Sequence, residues 1–162
     1  MIRDAQLNDD AAITAIYNHY VEHTVVTFEE EPLQPAALRQ RIRLCREGGF
    51  PWLVAEEEEG VVVGYAYASA WKARSAYRKS VEVTIYLDKN SGRRGLGTQL
   101  YRALFEELGE RGYHTAIGGI VLPNPASVAL HEKLGMTKVA HFKEVGFKFG
   151  QWLDVGYWQR LL

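Results

Sequence analysis

Apolar residues recur every three or four positions in several segments of the chain, which is the spacing of one helix face. The strongest of these segments has leucines four residues apart from Leu96 to Leu108, and Gly109 follows as a stop signal. Pro35 is a residue favoured in a first helical turn, and Gly48 ends the segment that it begins. Four helices are predicted in this way, at about Ile13–Val21, Pro35–Cys45, Leu96–Leu108 and Ala126–Leu134.

Other segments alternate apolar and polar residues or form short apolar runs, and these predict strands. Between two of these strands, the acidic run 56–59 is interpreted as a solvent-exposed turn. Besides a short strand at the N-terminus, strands are predicted at about Trp52–Ala55, Val61–Ala68, Ser80–Leu87, His114–Leu122, Thr137–Val145 and Trp152–Leu161. The order of elements (βααβββαβαββ) predicts an α/β (α+β) fold, with a mixed central sheet of about six to seven strands flanked by about four helices.

Size and composition narrow the function classes. The 162 residues favour a single domain over 1–162, and a net charge of −1 argues against a general nucleic-acid or membrane-surface binder. Cys45 is the only cysteine, so no internal disulfide forms, and the five histidines have no metal-ligand spacing. We therefore expect a cytoplasmic protein with no metal. Charge is uneven, however, because residues 71–94 hold seven basic side chains against two acidic ones.

A glycine-rich turn, Gly92–Gly97, lies between a predicted strand and a predicted helix. A helix start presents unpaired backbone N–H groups and the positive end of the helix dipole, which suits a phosphate. The turn lacks the third glycine of a dinucleotide fingerprint and the Lys-Ser or Lys-Thr of a P-loop. From these residues alone, a phosphate site and a plain connecting turn both stay open.

The wider sequence around the turn resembles a known superfamily. Gly92–Gly97 is similar to the acetyl-CoA pyrophosphate loop of the GNAT acetyltransferases, and Asn124–Met136 is similar to their second signature. The superfamily usually has Gln or Arg where Gly92 stands, which leaves the backbone N–H donors of the loop unaffected. The resemblance implies the GNAT fold and acetyl-CoA as the co-substrate.

A narrower resemblance is to the phosphinothricin N-acetyltransferases, a family that includes enzymes for methionine sulfoximine and methionine sulfone. It rests on Trp71–Tyr77, Val81–Tyr86, His131 and Gly146–Gly156. It implies a small-molecule acceptor, a glutamate-like amino acid acetylated at its α-amine, and a homodimer, with no nucleic-acid or membrane partner.

The resemblance also implies roles for individual residues. The cofactor-binding set is expected to be Ile85, Tyr86, Leu87, Arg93, Arg94, Gly95, Leu96, Gly97, Thr98, Asn124 and Ser127. The substrate-binding set is expected to be Phe28, Lys72, Arg74, Tyr77, Glu82 and Thr84. Asn124 can also act simply as a helix cap.

Two residues are predicted to be catalytic. Only a neutral amine attacks a thioester, so a base near the acceptor is useful, and Glu82 is predicted to be that base, directly or through a water. His131 is predicted to protonate the departing thiolate, a role that suits a histidine with a pKa near neutrality. The aromatic residues Trp152, Tyr157 and Trp158 are interpreted as core or dimer-interface residues rather than ligand contacts.

Two alternatives remain at this stage. One is an acetyltransferase for a different amine, such as a peptide N-terminus, a polyamine or an aminoglycoside. The basic pair Lys72 and Arg74 argues against a polyamine or aminoglycoside pocket, which should be lined by acids. The other is a non-catalytic acyl-CoA sensor on the same fold, since a fold does not by itself settle function.

Overall fold

The fold is taken from a computed structural model, and the residues described are 1–91 and 95–162. These residues form seven strands: β1 (Ile2–Asp4), β2 (Trp52–Glu56), β3 (Val62–Ala70), β4 (Ser80–Leu87), β5 (Thr115–Leu122), β6 (Thr137–Lys148) and β7 (Gln151–Leu161). They also form four α-helices: α1 (Asp10–His23), α2 (Pro35–Glu47), α3 (Leu96–Glu110) and α4 (Pro125–Lys133). The predicted order of elements is confirmed, and the predicted ends differ by up to three residues. None of the described helices is long and apolar enough to cross a membrane.

The strands form one mixed sheet, as predicted, and their order in it is β1-β2-β3-β4-β5-β7-β6. All neighbours are antiparallel except β4 and β5, whose parallel pairing covers only Ser80–Glu82 and Thr115–Ile117. Beyond these residues, β4 remains paired with β3 as far as Leu87, and β5 remains paired with β7 as far as Leu122. The two strands therefore separate after Glu82 and leave a gap in the middle of the sheet.

Two apolar clusters cover the two faces of the sheet. On one face, hereafter the α3/α4 face, leucines of α3 pack against alternate residues of β4 such as Val81 and Val83. On the other, the α1/α2 face, Ile13, Val21 and Ile42 pack against strand residues such as Tyr65. Because side chains alternate along a strand, Glu82, Thr84 and Tyr86 lie on the α1/α2 face.

The acidic run at 56–59 is only partly the exposed turn that its composition indicates. Glu58–Gly60 forms one turn of 3-10 helix, as a connection between β2 and β3 requires. Glu56 instead belongs to β2, and its carboxylate accepts a hydrogen bond from Arg3 Nε at 2.6 Å. The side chain of Arg3 reaches it because β1 pairs with β2, a contact that local composition does not encode.

The hairpin of β6 and β7 is irregular in the middle. Its register shifts between Phe142 and Gly146, where Glu144 has a φ of +52° and donates its N–H to Asp154 Oδ1 at 2.8 Å. The predicted strand ends at this bulge, at Val145, whereas the observed strand resumes beyond it and ends at Lys148. A bulge bends its strand and re-aims the side chains beside it.

Candidate active site

A cleft of about 730 Å³ occupies the gap between β4 and β5. Its lining includes Tyr101 of α3 and His131 of α4, which cover one face of the sheet, and Phe28 from the loop after α1, which covers the other. Because residues from both faces line one cleft, the opening passes through the sheet.

Glu82 is the last residue of β4 that pairs with β5, so it lies where the gap begins. Its side chain lines the cleft and is half-buried. Burial raises the pKa of the Glu82 carboxyl above its ordinary value, and the positive charge of Lys72 partly offsets that rise. A carboxylate with a raised pKa is a stronger base than an exposed one.

His131 is buried in the opposite wall, with only 3% of its surface exposed. Its Nδ1 lies 2.7 Å from the carbonyl oxygen of Ser127, one helical turn back along α4. A carbonyl oxygen only accepts, so Nδ1 carries the hydrogen, and in the neutral ring Nε2 accepts from the Tyr101 hydroxyl at 3.2 Å. Burial lowers the pKa of His131 below its ordinary value and so favours the neutral ring, and the hydrogen bond to Ser127 opposes that shift.

Two adjacent glycines of β5 make room for side chains on both faces. A Cβ at Gly118 would lie 2.9 Å from the His131 ring, and a Cβ at Gly119 would lie 3.1 Å from the Tyr157 ring. Both distances are closer than ordinary contact, so the rings rest directly on the backbone. The sequence prediction missed this pair, although consecutive glycines within a predicted strand are a signal of close approach.

The first turn of α3 offers backbone donors. Gly95 caps it in the left-handed conformation, with a φ of +84°, and the first residue to bond back within the helix is Gln99, whose N–H donates to the carbonyl of Gly95. In a helix that begins at Leu96, the N–H groups of Leu96, Gly97 and Thr98 have no acceptor within the helix. The side chains of Leu96 and Thr98 are buried, so the backbone is what this turn presents to a ligand. Arg93 and Arg94 were also predicted here, and they lie outside the described residues.

This turn contacts two of the elements that line the cleft. A Cβ at Gly97 would lie 3.2 Å from the side chain of Leu130 on α4 and 3.6 Å from that of Leu87 at the end of β4. The first turn of α3 therefore packs between the strand and the helix that border the gap.

The edge of β4 that faces the gap also presents backbone N–H groups beyond the end of the β4–β5 ladder. Asp88 donates its N–H to the carbonyl of Val63 on β3, and the direction of N–H groups alternates along a strand. The N–H groups of Ile85 and Leu87 accordingly point away from β3, toward the gap. Tyr86 lies between them and contributes its side chain to the cleft.

Asn124 and Ser127 line the cleft from the start of α4. The side chain oxygen of Asn124 accepts from the Ser127 N–H at 3.1 Å, which is the helix-cap geometry. The amide NH₂ of Asn124 is not used by that bond. The capping role and a ligand role are therefore compatible.

The α1/α2 side of the cleft is mostly aromatic. The rings of Trp71 and Phe142 meet that of Tyr157 edge-on, at 5.5 and 5.9 Å between ring centroids. The Lys72 ammonium lies 5.1 Å from the Trp71 ring centroid and gives this wall a positive charge. Tyr157 thus lines the cleft rather than the core. The reason is its position opposite Gly119, which opens space above the strand. Its interpretation as a dimer-interface residue stays a prediction.

The remaining predicted residues divide between the cleft and the surface. Phe28, Lys72 and Thr84 line the cleft, whereas Arg74 and Tyr77 are exposed on the loop before β4 and lie outside the lining. Trp158 is buried in the core, as predicted, and Trp152 is 65% exposed. Within residues 1–91 and 95–162, no three His, Cys, Asp or Glu side chains are grouped as metal ligands would be.

Comparison with known proteins identifies the family. The model of the acetyltransferase (GNAT) domain matches residues 2–156. The chain is 44% identical to a phosphinothricin N-acetyltransferase of Streptomyces viridochromogenes, covering 98% of this chain and 86% of that protein. It is 38% identical to the L-methionine sulfoximine/L-methionine sulfone acetyltransferase of Salmonella typhimurium, covering 98% and 92%.

Solved structures agree with these relatives. A GNAT-superfamily phosphinothricin acetyltransferase from Sinorhizobium meliloti, solved in complex with acetyl-CoA, superposes with a TM-score of 0.96 at 40% identity, covering 100% of this chain and 88% of that one. Both the predicted fold and the predicted family are confirmed. The chain therefore belongs to the GNAT acetyltransferase family.

Proposed function

We propose that this protein transfers an acetyl group from acetyl-CoA to the α-amine of a small amino acid of the phosphinothricin, methionine sulfoximine or methionine sulfone type. The observation that carries the proposal is the cleft through the sheet, which joins Glu82 on one face to the His131–Tyr101 pair on the other. The relatives named for these acceptors match nearly the whole chain, which supports the same acceptor class here.

Acetyl-CoA, when bound, supplies an acetyl group as a thioester, whose carbonyl carbon an amine attacks. The first-turn N–H groups of α3 suit its pyrophosphate, because they have no acceptor within the helix and lie at the positive end of the helix dipole. Arg93 and Arg94 are proposed to add charge at the same turn. The N–H groups of Ile85 and Leu87 and the side chains of Asn124 and Ser127 are proposed to hold the rest of the co-substrate along the gap.

The acceptor is proposed to bind on the α1/α2 side. Lys72 contributes the positive charge that an α-carboxylate requires, and Phe28 and Thr84 form the walls around it, together with Tyr157. Arg74 and Tyr77 lie outside the lining, and their contacts with the acceptor stay a prediction.

Glu82 is proposed to take a proton from the α-ammonium group, directly or through a water, so that the amine becomes a nucleophile. His131 then accepts, at Nε2 of its neutral ring, the second proton that the amine nitrogen loses as it bonds to the acetyl carbon, and gives that proton to the sulfur as the C–S bond breaks. Its lowered pKa favours the second step, because a histidinium of low pKa is a strong proton donor. Tyr101 holds the ring with Nε2 toward the cleft until then.

The proposal is tested by the release of free CoA thiol from acetyl-CoA with a panel of acceptors. We expect turnover with phosphinothricin, methionine sulfoximine or methionine sulfone, and a much lower kcat/KM with polyamines and aminoglycosides. Turnover only with peptides or polyamines would contradict the acceptor class. Tight binding of acetyl-CoA without thiol release on any amine would identify a sensor instead of an enzyme.

We further propose that the protein forms a homodimer, in the cytoplasm, through the hairpin of β6 and β7. Among the described residues this hairpin carries large exposed apolar side chains in one region: Phe142, Val145, Phe147, Phe149 and Trp152, each 51–65% exposed. Contiguous exposed apolar surface of this kind marks an interaction site.

Substituting Trp152 by glutamate should convert the dimer to a monomer, since a carboxylate in an apolar interface is left without a partner. Sedimentation velocity measures the masses directly. The matched control is Leu44→Glu, because Leu44 is 56% exposed on α2, away from the hairpin, and this variant should remain a dimer. A wild-type protein that sediments as a monomer would exclude the proposed dimer.

A further inference from the structure

Lys148 is a buried charged residue that the proposed chemistry does not use. It is the last residue of β6, and only 1% of its surface is exposed. Its ammonium donates to two backbone carbonyl oxygens, those of Val21 and Thr27, each at 2.8 Å. Burying an ammonium is unfavourable unless it is well hydrogen-bonded, so an apolar residue would fill this place at lower cost.

The two carbonyl oxygens belong to a segment that forms one wall of the cleft. Val21 lies in the last turn of α1, and Thr27 lies in the loop that follows. Val26, Thr27 and Phe28 of this loop all line the cleft. Lys148 does not line the cleft itself, so it reaches the acceptor only through this loop.

Two further contacts hold the same loop. The Thr27 hydroxyl is 2.8 Å from the hydroxyl of the buried Tyr17. The ring of Phe28 rests on the backbone of Gly146, where a Cβ would lie 2.2 Å from its Cζ atom. β6 therefore fixes neighbouring loop residues twice, through Gly146 beneath Phe28 and through the Lys148 ammonium at Thr27.

We infer that Lys148 is a positioning residue for acceptor binding. Its hydrogen bond to Thr27 holds residues 26–28, which form one wall of the cleft, against β6. Lys148 thereby sets the width of the acceptor side of the cleft, opposite Glu82. This inference rests on the proposed function, because it assigns the wall to the acceptor. A charge-assisted hydrogen bond to a backbone carbonyl is stronger than a neutral one, so it holds this loop in place whether or not the cleft is occupied.

The test is the variant Lys148→Met, which keeps the length of the side chain and removes its charge and donors. We expect KM for the acceptor to rise about tenfold or more, as the loss of a charge-assisted hydrogen bond implies, while kcat and KM for acetyl-CoA change less than about threefold. Lys148→Arg should recover part of the loss. The control is Lys143→Met, at an exposed lysine on the same strand, which should match the wild type.

A second variant covers the case in which Lys148→Met does not fold. Gly146→Ala displaces the Phe28 ring from the same wall, and it should also raise KM for the acceptor selectively. If folded Lys148→Met keeps the wild-type KM for the acceptor, or if its kcat and both KM values shift together, the positioning role is excluded.

Hydrogen exchange separates this inference from the proposed function. In Lys148→Met, amides of residues 22–30 should exchange faster than in the wild type, and this readout needs no acceptor. A wild-type protein that acetylates no amino acid would overturn the proposed function. Unchanged hydrogen exchange in Lys148→Met would show that Lys148 does not hold the loop. A normal acceptor KM in an active variant overturns the positioning role alone.

Discussion

Replacing Glu82 by glutamine should lower kcat/KM for the acceptor by about 10²- to 10⁴-fold, which is the usual contribution of a positioned acid or base. Glutamine has almost the same shape but cannot take a proton, so the folded cleft is kept while the base is lost. Steady-state kinetics with saturating acetyl-CoA measure the effect. Glu106→Gln, at an exposed glutamate of α3, is the control and should retain full activity.

The pH profile adds a second readout for Glu82. The base must be ionised to act, so kcat/KM should fall as the pH falls through the pKa of Glu82. Burial raises that pKa, so the fall begins at a higher pH than it would for an exposed glutamate. Removing the charge of Lys72 in Lys72→Met should move the fall to still higher pH, and Glu82→Gln should abolish it. If kcat/KM of Glu82→Gln stays within about tenfold of the wild type and still falls at low pH, another group is the base.

Replacing His131 by alanine should also cost about 10²- to 10⁴-fold in kcat/KM, because the proton that reaches the sulfur then comes only from water. The substitution opens space against Gly118 inside the cleft, so added imidazole should restore part of the rate. Tyr101→Phe removes only the hydroxyl that orients Nε2, and a smaller loss is expected.

The control for His131 is His23→Ala, at an exposed histidine near the end of α1, which should leave the rate and its response to imidazole unchanged. A loss in His131→Ala below about tenfold, with no rescue by imidazole, would make His131 an auxiliary residue.

Periodicity alone was enough to predict the helices and strands, because each pattern is local. The leucines of α3 and the alternation in β4 already indicate which side chains are buried. The resemblance was enough to predict that Glu82 belongs to the site, but the sequence does not show the gap between β4 and β5 beside it. That gap depends on where the pairing of β4 with β5 stops, which is a property of residues far apart in sequence.

Other features were missed for the same reason. In the sequence, Tyr157 is one of several aromatic residues of a C-terminal strand. Its ring lies in the cleft because Tyr157 pairs opposite Gly119. In the sequence, Lys148 is an ordinary polar residue near a predicted strand. It is buried because the end of α1 packs against β6. The lowering of the pKa of His131 likewise follows from burial of its ring, which no single stretch of sequence encodes.

The short parallel ladder between β4 and β5 divides the sheet into two portions that are each contiguous along the chain. Strands β1–β4 carry Glu82, while β5–β7 and α4 carry His131, and the three residue pairs of the β4–β5 ladder join the two portions at one end of the cleft. At the other end, Lys148, the last residue of β6, donates hydrogen bonds to the end of α1 and to the loop that follows it. The proton acceptor and the proton carrier thus lie on separate portions of the sheet. Their spacing depends on the short β4–β5 ladder at one end of the cleft and, at the other, on the contacts of Gly146 and Lys148 with the loop after α1.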